Sequence, residues 1–296
     1  MTTQKEPTKD IAVLCATYDG AEYLDQQLLS IKKQINVSVD IYLSADISSD
    51  STYDICQQWA FKNKNITLLQ YGETFGGAAK NFYRLIRDVD FSCYSYVALS
   101  DQDDIWFRDK LFRAISSIEE RKVDVYSSNV IAFWSDGSQK VIIKSQPQTD
   151  YDFLFEGGGP GCTFVFECST LMLFKLYLLE HQTEVNDVVF HDWMLYAFCR
   201  SIGKKWFIDP EPGMLYRQHS SNQFGSNSGR KALSTRLSMV KGKWYRQEVE
   251  KIFTLSGVSQ TKFSLNRPFL ILNFWKLRRG IWSKFVLLTF LLFGLF

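Results

Sequence analysis

The chain has 296 residues, of which 46% are hydrophobic and 16% aromatic, with 17 Gly, 6 Pro, and 34 Lys+Arg against 32 Asp+Glu for a net charge of +2. This much apolar material without a compositional bias excludes a disordered chain, a collagen-like chain and a disulfide scaffold, and suits one large α/β domain with or without an appendage. The charge is uneven: residues 226–296 hold 13 bases and two acids, Glu248 and Glu250, whereas residues 1–225 hold 21 bases and 30 acids, a block that points to an anionic partner.

The opening MTTQKEPTKD is polar and carries no signal-peptide core, from which a cytoplasmic protein is expected. From residue 11 the pattern alternates. Short β-branched or apolar runs at 11–15, 39–44, 66–70 and 94–100 are separated by stretches of helical period at 21–34, 52–62 and 77–89, the signature of βαβ units and a mostly parallel sheet. Beyond 122 the segments 123–128 and 130–134 are strand-like, and the Asp-Gly turn at 135–139 leads into 141–144 as a hairpin. A Gly-rich loop at 157–161 precedes a strand at 162–167, helices at 171–179 and 187–201, and a strand at 205–208. A polar loop at 220–229 then opens the basic region. The six cysteines form no CxxC pair and read as reduced packing residues.

The uncharged last twelve residues, 285–296, follow Lys276, Arg278, Arg279 and Lys284, which are interleaved with Phe274, Trp275, Ile281 and Trp282. As a helix they would extend ~18 Å, short of the ~30 Å hydrocarbon core. Basic residues at headgroup level with aromatics below them make an interfacial anchor on an anionic membrane surface; the alternative is a helix packed on the domain. No helix-turn-helix, zinc-finger or RNA-binding signature accompanies the charge, so nucleic acid is not an expected partner.

Chemistry is to be sought just after each strand, where open α/β sheets bind ligands. Asp101, Asp103 and Asp104 end the fourth run as SDQDD. Their mutual repulsion is relieved by a divalent cation such as Mg²⁺ or Mn²⁺, or else the acids mark the start of a helix. ATYDG at 16–20 and SADISSD at 44–50 put acids and hydroxyls at two other strand tips, and FGGAAKN at 75–81 sets small residues and Lys80 where a phosphate could approach a helix start. Asp192 in His-Asp-Trp is a candidate general base or a helix N-cap. Trp106 and Trp193 are candidates for an acceptor-sugar wall or for the core.

The order ATYDG, SADISSD, FGGAAKNF, ALSDQDDIWFRDKL, GPGCTFVF, HDWMLYAF and YRQHSSN, from residue 11 to 224, resembles the inverting glycosyltransferases of family 2, which have the GT-A fold. SDQDDIW with YRQHSSN is most similar to the family's bacterial rhamnosyltransferase branch. The resemblance implies an α/β GT-A domain over 8–225; the charge and apolar pattern of 226–296 predicts a basic helical membrane-associating region behind it. Thr17, Tyr18, Asp19 and Asp46 would line the nucleoside site, with Lys80 near phosphate. Asp101 and Asp103 would form the metal-binding DxD motif for Mg²⁺ or Mn²⁺, with Asp101 also against the donor. His219 would approach the diphosphate or the metal, and Asp192 would be the base. The family usually has Asn at 19, Asp at 45 and Gly at 47, where this chain has Asp19, Ala45 and Ile47.

The expected function is therefore transfer of L-rhamnose from dTDP-L-rhamnose to a hydroxyl of a lipid-linked saccharide, in assembly of a bacterial surface polysaccharide on the inner face of the cell membrane. Three other readings stand beside it: a UDP-hexose donor, a catalytically degenerate assembly partner, and a sugar-phosphate nucleotidyltransferase. The last lacks its Gly-rich, Arg-containing loop after the first strand.

Overall fold

The computed structural model of the chain describes residues 9–219, 244–258 and 263–296; the loop expected at 220–229 lies outside them. The first half alternates as β1 (Lys9–Thr17), α1 (Leu24–Lys32), β2 (Val37–Ala45), α2 (Thr52–Lys62), β3 (Ile66–Leu68), α3 (Ala78–Asp88) and β4 (Tyr96–Ser100). There follow β5 (Ile105–Trp106), α4 (Lys110–Arg121), β6 (Val125–Ser128), β7 (Val130–Phe133), β8 (Gln139–Ile142), β9 (Val165–Glu167), α5 (Cys168–Glu180), α6 (Gln182–Asn186), α7 (His191–Ser201), β10 (Trp206–Asp209) and β11 (Met214–Arg217). The basic region supplies α8 (Trp244–Ser256), α9 (Arg267–Leu272) and α10 (Ile281–Leu292).

Seven strands form the main sheet in the order β10-β6-β9-β4-β1-β2-β3. Its pairings are parallel except at β9, which runs against both β4 and β6. The sheet is thus mixed rather than wholly parallel. Strands β1 and β4 read as unbroken apolar runs because both of their faces are covered. Ala12, Leu14, Val97 and Leu99 point into one core with α3, α5 and α7, whereas Ile11, Val13, Cys15 and Ala98 point into the other with α1 and α4. All six cysteines are free thiols, with Cys93 exposed.

A second, four-stranded sheet has the order β5-β11-β7-β8. The neighbouring strand-like runs at 123–134 therefore belong to different sheets, and Asn129 is the residue between them. Its backbone N–H donates to the Asp209 carbonyl at 2.9 Å, and its Nδ2 donates to the Pro210 carbonyl at 2.8 Å. Its Oδ1 accepts the backbone N–H groups of Lys144 (2.6 Å) and Ser145 (3.1 Å). One buried side chain thereby ties the main sheet to the exit of the β7–β8 hairpin.

The C-terminal helices pack on the same core as the sheet: Val249, Ile252, Leu255, Leu270, Leu277, Leu287 and Leu291 are all buried in the cluster that holds α3 and α7. Helix α9 starts at Asn266, whose Oδ1 accepts the Phe269 N–H at 2.9 Å, with Pro268 in its first turn, a favoured way to begin a helix. Helix α10 uses Leu287 and Leu291 to pack and leaves Trp282, Phe285, Val286, Leu292 and Phe293 exposed. Among the described residues no helix is long and apolar enough to cross a membrane.

Replacing Asn129→Ala strands two buried N–H groups and a carbonyl, and is expected to cost about 2–4 kcal/mol in urea unfolding. Ser138→Ala in the exposed turn at 135–139 should change it by less than about 0.5 kcal/mol.

Candidate functional site

The carboxyl ends of β1, β2 and β4 open on one side of the main sheet, and their loops are laced together by side chains. Thr17 is buried, with its hydroxyl donating to the Ser44 carbonyl at 3.3 Å. Tyr18 is exposed. Its backbone is gripped from both directions by Gln102, whose Oε1 accepts the Tyr18 N–H at 2.7 Å and whose Nε2 donates to the Tyr18 carbonyl at 2.6 Å. The adjoining Gly20 makes room for this grip, since a Cβ there would lie 2.2 Å from Gln102 Oε1. Gln102 was not singled out in the sequence, where a Gln between two acids looks like a spacer.

Asp19 has φ 42°, and its Oδ1 accepts the Ser49 N–H at 2.6 Å. Asn and Asp are the side-chain-bearing residues that best tolerate this left-handed region, so the departure from the family's Asn preserves the backbone. Asp46 is buried. Its Oδ1 accepts the N–H groups of Ile47 (2.8 Å) and Phe75 (3.0 Å), and its Oδ2 that of Gly76 (3.2 Å). The carboxylate expected at the nucleoside thus braces the loop before α3. Below it Asn81 Nδ2 donates to the Ser44 carbonyl at 3.0 Å and Arg84 donates to the Ser44 hydroxyl at 2.8 Å. Lys80 is exposed on the first turn of α3. It helps line a cavity of about 300 Å³ between residues 76–80 and 186–189.

At the end of β4, ligand atoms of Asp101, Asp104 and Cys162 lie within 4.8 Å of one another. Desolvation and then the charge of Asp103 push the Asp101 carboxyl up to about 7. Burial, and then the charges of Asp103 and Asp101, push the Asp104 carboxyl well above the usual carboxylate range. Asp104 Oδ1 accepts the Arg217 N–H at 3.1 Å, while its buried Oδ2 has no hydrogen-bond partner among the described residues. Asp103 Oδ2 lies 2.7 Å from His219 Nε2. Strand β11 delivers this histidine, and Arg217 donates to the Asp103 carbonyl at 2.7 Å. An unpartnered carboxylate oxygen among repelling acids, with a histidine beside them, fits a hard divalent cation with oxygen and imidazole ligands. The Cys162 thiol is held protonated by burial and by the Asp104 and Asp101 charges, which unsuits it for such an ion.

Asp192 is half-buried in the first turn of α7 and accepts the Trp193 N–H at 2.8 Å. Desolvation pushes it up to about 6, against the opposing pull of that N–H and of the Lys144 charge. Its charge is felt in turn at Asp101, so the two carboxylates are near enough to interact. Lys144, just beyond β8, bears on Asp192 through its charge, and nothing in the sequence around it marks it. Beside Asp192, burial drives His191 down to about 3 and keeps it neutral, its ring stacked on Phe82 at 4.1 Å.

Both candidate acceptor indoles turn out to be internal. Trp106 is 3% exposed and carries the buried Lys110 amine over its ring at 3.4 Å. Trp193 is 5% exposed, donates from Nε1 to the Phe153 carbonyl at 2.9 Å, and stacks on Tyr245. Each sits where a strand or helix enters the core, which buries both indoles.

Comparison with known proteins bears on the family and the fold. The profile of Glycosyl transferase family 2 matches residues 12–180. The dTDP-rhamnosyl transferase RfbG of Shigella flexneri is 42% identical over 95% of this chain and 100% of its own length. The amylovoran biosynthesis glycosyltransferase AmsB of Erwinia amylovora is 25% identical over 74% of this chain and 73% of its own. Among solved structures, S. aureus TarS 1-349 in complex with UDP-GlcNAc superposes with TM-score 0.54 and 16% identity, covering 94% of this chain and 78% of that one. The mannosyltransferase PcManGT from Pyrobaculum calidifontis, in complex with GDP-Man and Mn²⁺, gives TM-score 0.54 and 13% identity, covering 98% and 86%.

A carboxyl titrating near 7 is partly protonated at neutral pH, so a cation that binds it must displace the proton. Mn²⁺ added at pH 7 is expected to release roughly half a proton per ion from Asp101 alone, read by calorimetry in buffers of differing ionisation enthalpy. Binding without proton release would place the ion elsewhere.

Proposed function

The chain belongs to glycosyl transferase family 2, and on that basis we propose that it transfers L-rhamnose from dTDP-L-rhamnose, with inversion, to a hydroxyl of a lipid-linked saccharide during assembly of a bacterial surface polysaccharide. The observation that carries the reading is the cluster of acids at the end of β4, with Asp192 on the first turn of α7 near enough for its charge to bear on Asp101. The choice of sugar rests on the likeness to RfbG along its whole length.

In this reading Thr17, Tyr18, Asp19 and Asp46 shape the nucleoside end, the last by holding its loop, and Lys80 faces phosphate. Asp101 and Asp103, with His219, would hold Mg²⁺ or Mn²⁺, which neutralises the charge of the departing diphosphate. Asp192 takes the proton of the acceptor hydroxyl as its oxygen attacks the anomeric carbon from the face opposite the leaving group. One displacement with one base inverts the configuration. A site walled by protein raises Asp192 toward neutrality, where a carboxylate is a stronger base than in water.

The acceptor is reached at a membrane surface. Helix α10 is ~18 Å long, against ~30 Å for a hydrocarbon core. Its exposed Trp282, Phe285 and Val286 suit the headgroup boundary, with Lys284 and Arg267 beside anionic lipid. The helix both packs on the domain and offers this face.

Calorimetry with Mn²⁺ should give tighter binding of dTDP than of UDP or GDP; preference for UDP would keep the mechanism and replace the sugar. Asp192→Asn should retain dTDP affinity and lose roughly 10²–10⁴ in turnover. Because the base must be ionised, wild-type kcat should rise with pH through an apparent pKa of about 6 and be lost below it. A flat profile between pH 5 and 7.5 would argue against Asp192 as the base.

The double change Trp282→Glu, Val286→Glu falls on side chains that are 82% and 52% exposed. It is expected to abolish co-sedimentation with phosphatidylglycerol vesicles while the melting temperature stays in place.

A further inference from the structure

The segment that joins α9 to α10 crosses behind the helix that carries Asp192, and two consecutive arginines dock it there. Arg279 is buried, with its side chain 1% exposed. Its Nη1 donates to Asp152 Oδ2 at 2.9 Å, its Nη2 to the Gly157 carbonyl at 2.7 Å, and its backbone N–H to Glu156 Oε1 at 2.5 Å. Arg278 donates to the Phe155 carbonyl and the Tyr245 hydroxyl, both at 2.8 Å. Every one of these partners but Tyr245 lies in the loop 152–157.

That loop is fastened to α7 on its other side. Asp152 Oδ2 also accepts the Tyr196 hydroxyl at 2.7 Å, and Arg200 lies 3.3 Å from Oδ1. The Phe153 carbonyl accepts the indole N–H of Trp193, the residue after Asp192. Gly157 rests on the start of α7: a Cβ there would lie 3.4 Å from Trp193 Cα and 3.7 Å from the Asp192 carbonyl carbon. The buried carboxylate of Asp152 is thus one hub with two arms, α7 on one and Arg279 on the other.

We infer that Arg279 is a positioning residue for the transfer reaction, holding loop 152–157 against the first turn of α7 so that the Asp192 carboxylate is set at the acceptor hydroxyl. The inference rests on Asp192 being the base. Arg279 touches neither donor nor acceptor. Its two-pronged hold on Asp152 and the Gly157 carbonyl is a geometry that a guanidinium makes and an ammonium does not. Among the described residues no hydrogen bond or ion pair joins the tips of β1 and β2, the proposed dTDP end, to this block, so the two ends should respond separately when Arg279 is changed.

The test uses the full chain with Arg279→Lys, which keeps the charge and loses the fork, and Tyr196→Phe, which removes the α7 arm of the same hub by one hydroxyl. Turnover is followed as dTDP released from dTDP-L-rhamnose over detergent-extracted bacterial membrane lipids, and dTDP affinity by calorimetry with Mn²⁺. Arg279→Lys is expected to lower kcat about tenfold, with donor KM and dTDP affinity within about twofold of wild type, and Tyr196→Phe to lower kcat in the same direction by less. Unchanged kcat in both variants, or dTDP affinity falling in step with kcat, would overturn the inference. Asp192→Asn run alongside separates the two claims. If it keeps turnover the base assignment itself fails; if it loses turnover while both hub variants keep theirs, only the role of Arg279 is wrong.

Discussion

Three carboxylates must be held at the tip of a strand whose two faces are buried, and much of the molecule is arranged around that requirement. Asp101, Asp103 and Asp104 leave β4 at the point where the apolar sheet meets the crevice. Buried charge is tolerated only where it is hydrogen-bonded or paired. The small sheet exists on this side for that purpose: β5 continues directly from the acids, and β11 pairs with it to bring the Arg217 N–H to Asp104 and His219 to Asp103. Beneath them Lys110 is pulled down to about 7 by burial, while the Asp104 charge opposes the fall. Desolvation, and then the remaining repulsion, raises Asp101 and Asp104.

The same economy governs the donor side. Gln102 sits between two of the acids and spends its amide entirely on the Tyr18 backbone, so the loop that carries the acids and the loop after β1 are one unit. A change in either is transmitted to the other. Asp46 does likewise between the loops after β2 and β3. Residues that look like ligands in a motif can thus act by holding backbone, and the backbone then presents the surface.

What the sequence made legible follows from how local each signal is. Strands β1 to β4 and helices α1 to α3 were readable because period and β-branching are properties of short windows, and SDQDD because three acids in four residues are unusual wherever they fall. The antiparallel course of β9 was not readable, since its three residues look alike in either direction. The divide at Asn129 depends on partners 15 to 81 residues away. Tyr18 and Gln102 are separated by 84 positions, and Asp152 and Arg279 by 127. The burial of Trp106 and Trp193 was invisible for a related reason: an indole beside an acidic motif has the same composition whether it faces ligand or core. Charge counting misled in one respect as well. Arg278 and Arg279 belong to the basic block, yet they are internal ligands of a loop rather than part of a field directed at lipid.

The apolar end of the chain looks like a tag that could be trimmed to obtain a better-behaved protein for crystallisation. Its packing says otherwise. Leu287 and Leu291 are buried, and the ring of Phe296 lies 5.7 Å from that of Tyr245, which itself stacks on Trp193. Cutting the tail would open the wall behind α7, so loss of activity on truncation would report on the packing of the domain and say nothing of a membrane contact. Solubility is better sought with detergent, or by recolouring the exposed face of α10 one side chain at a time. For the same reason a foreign segment cannot simply be grafted in its place: the last sixteen residues are masonry of the domain itself.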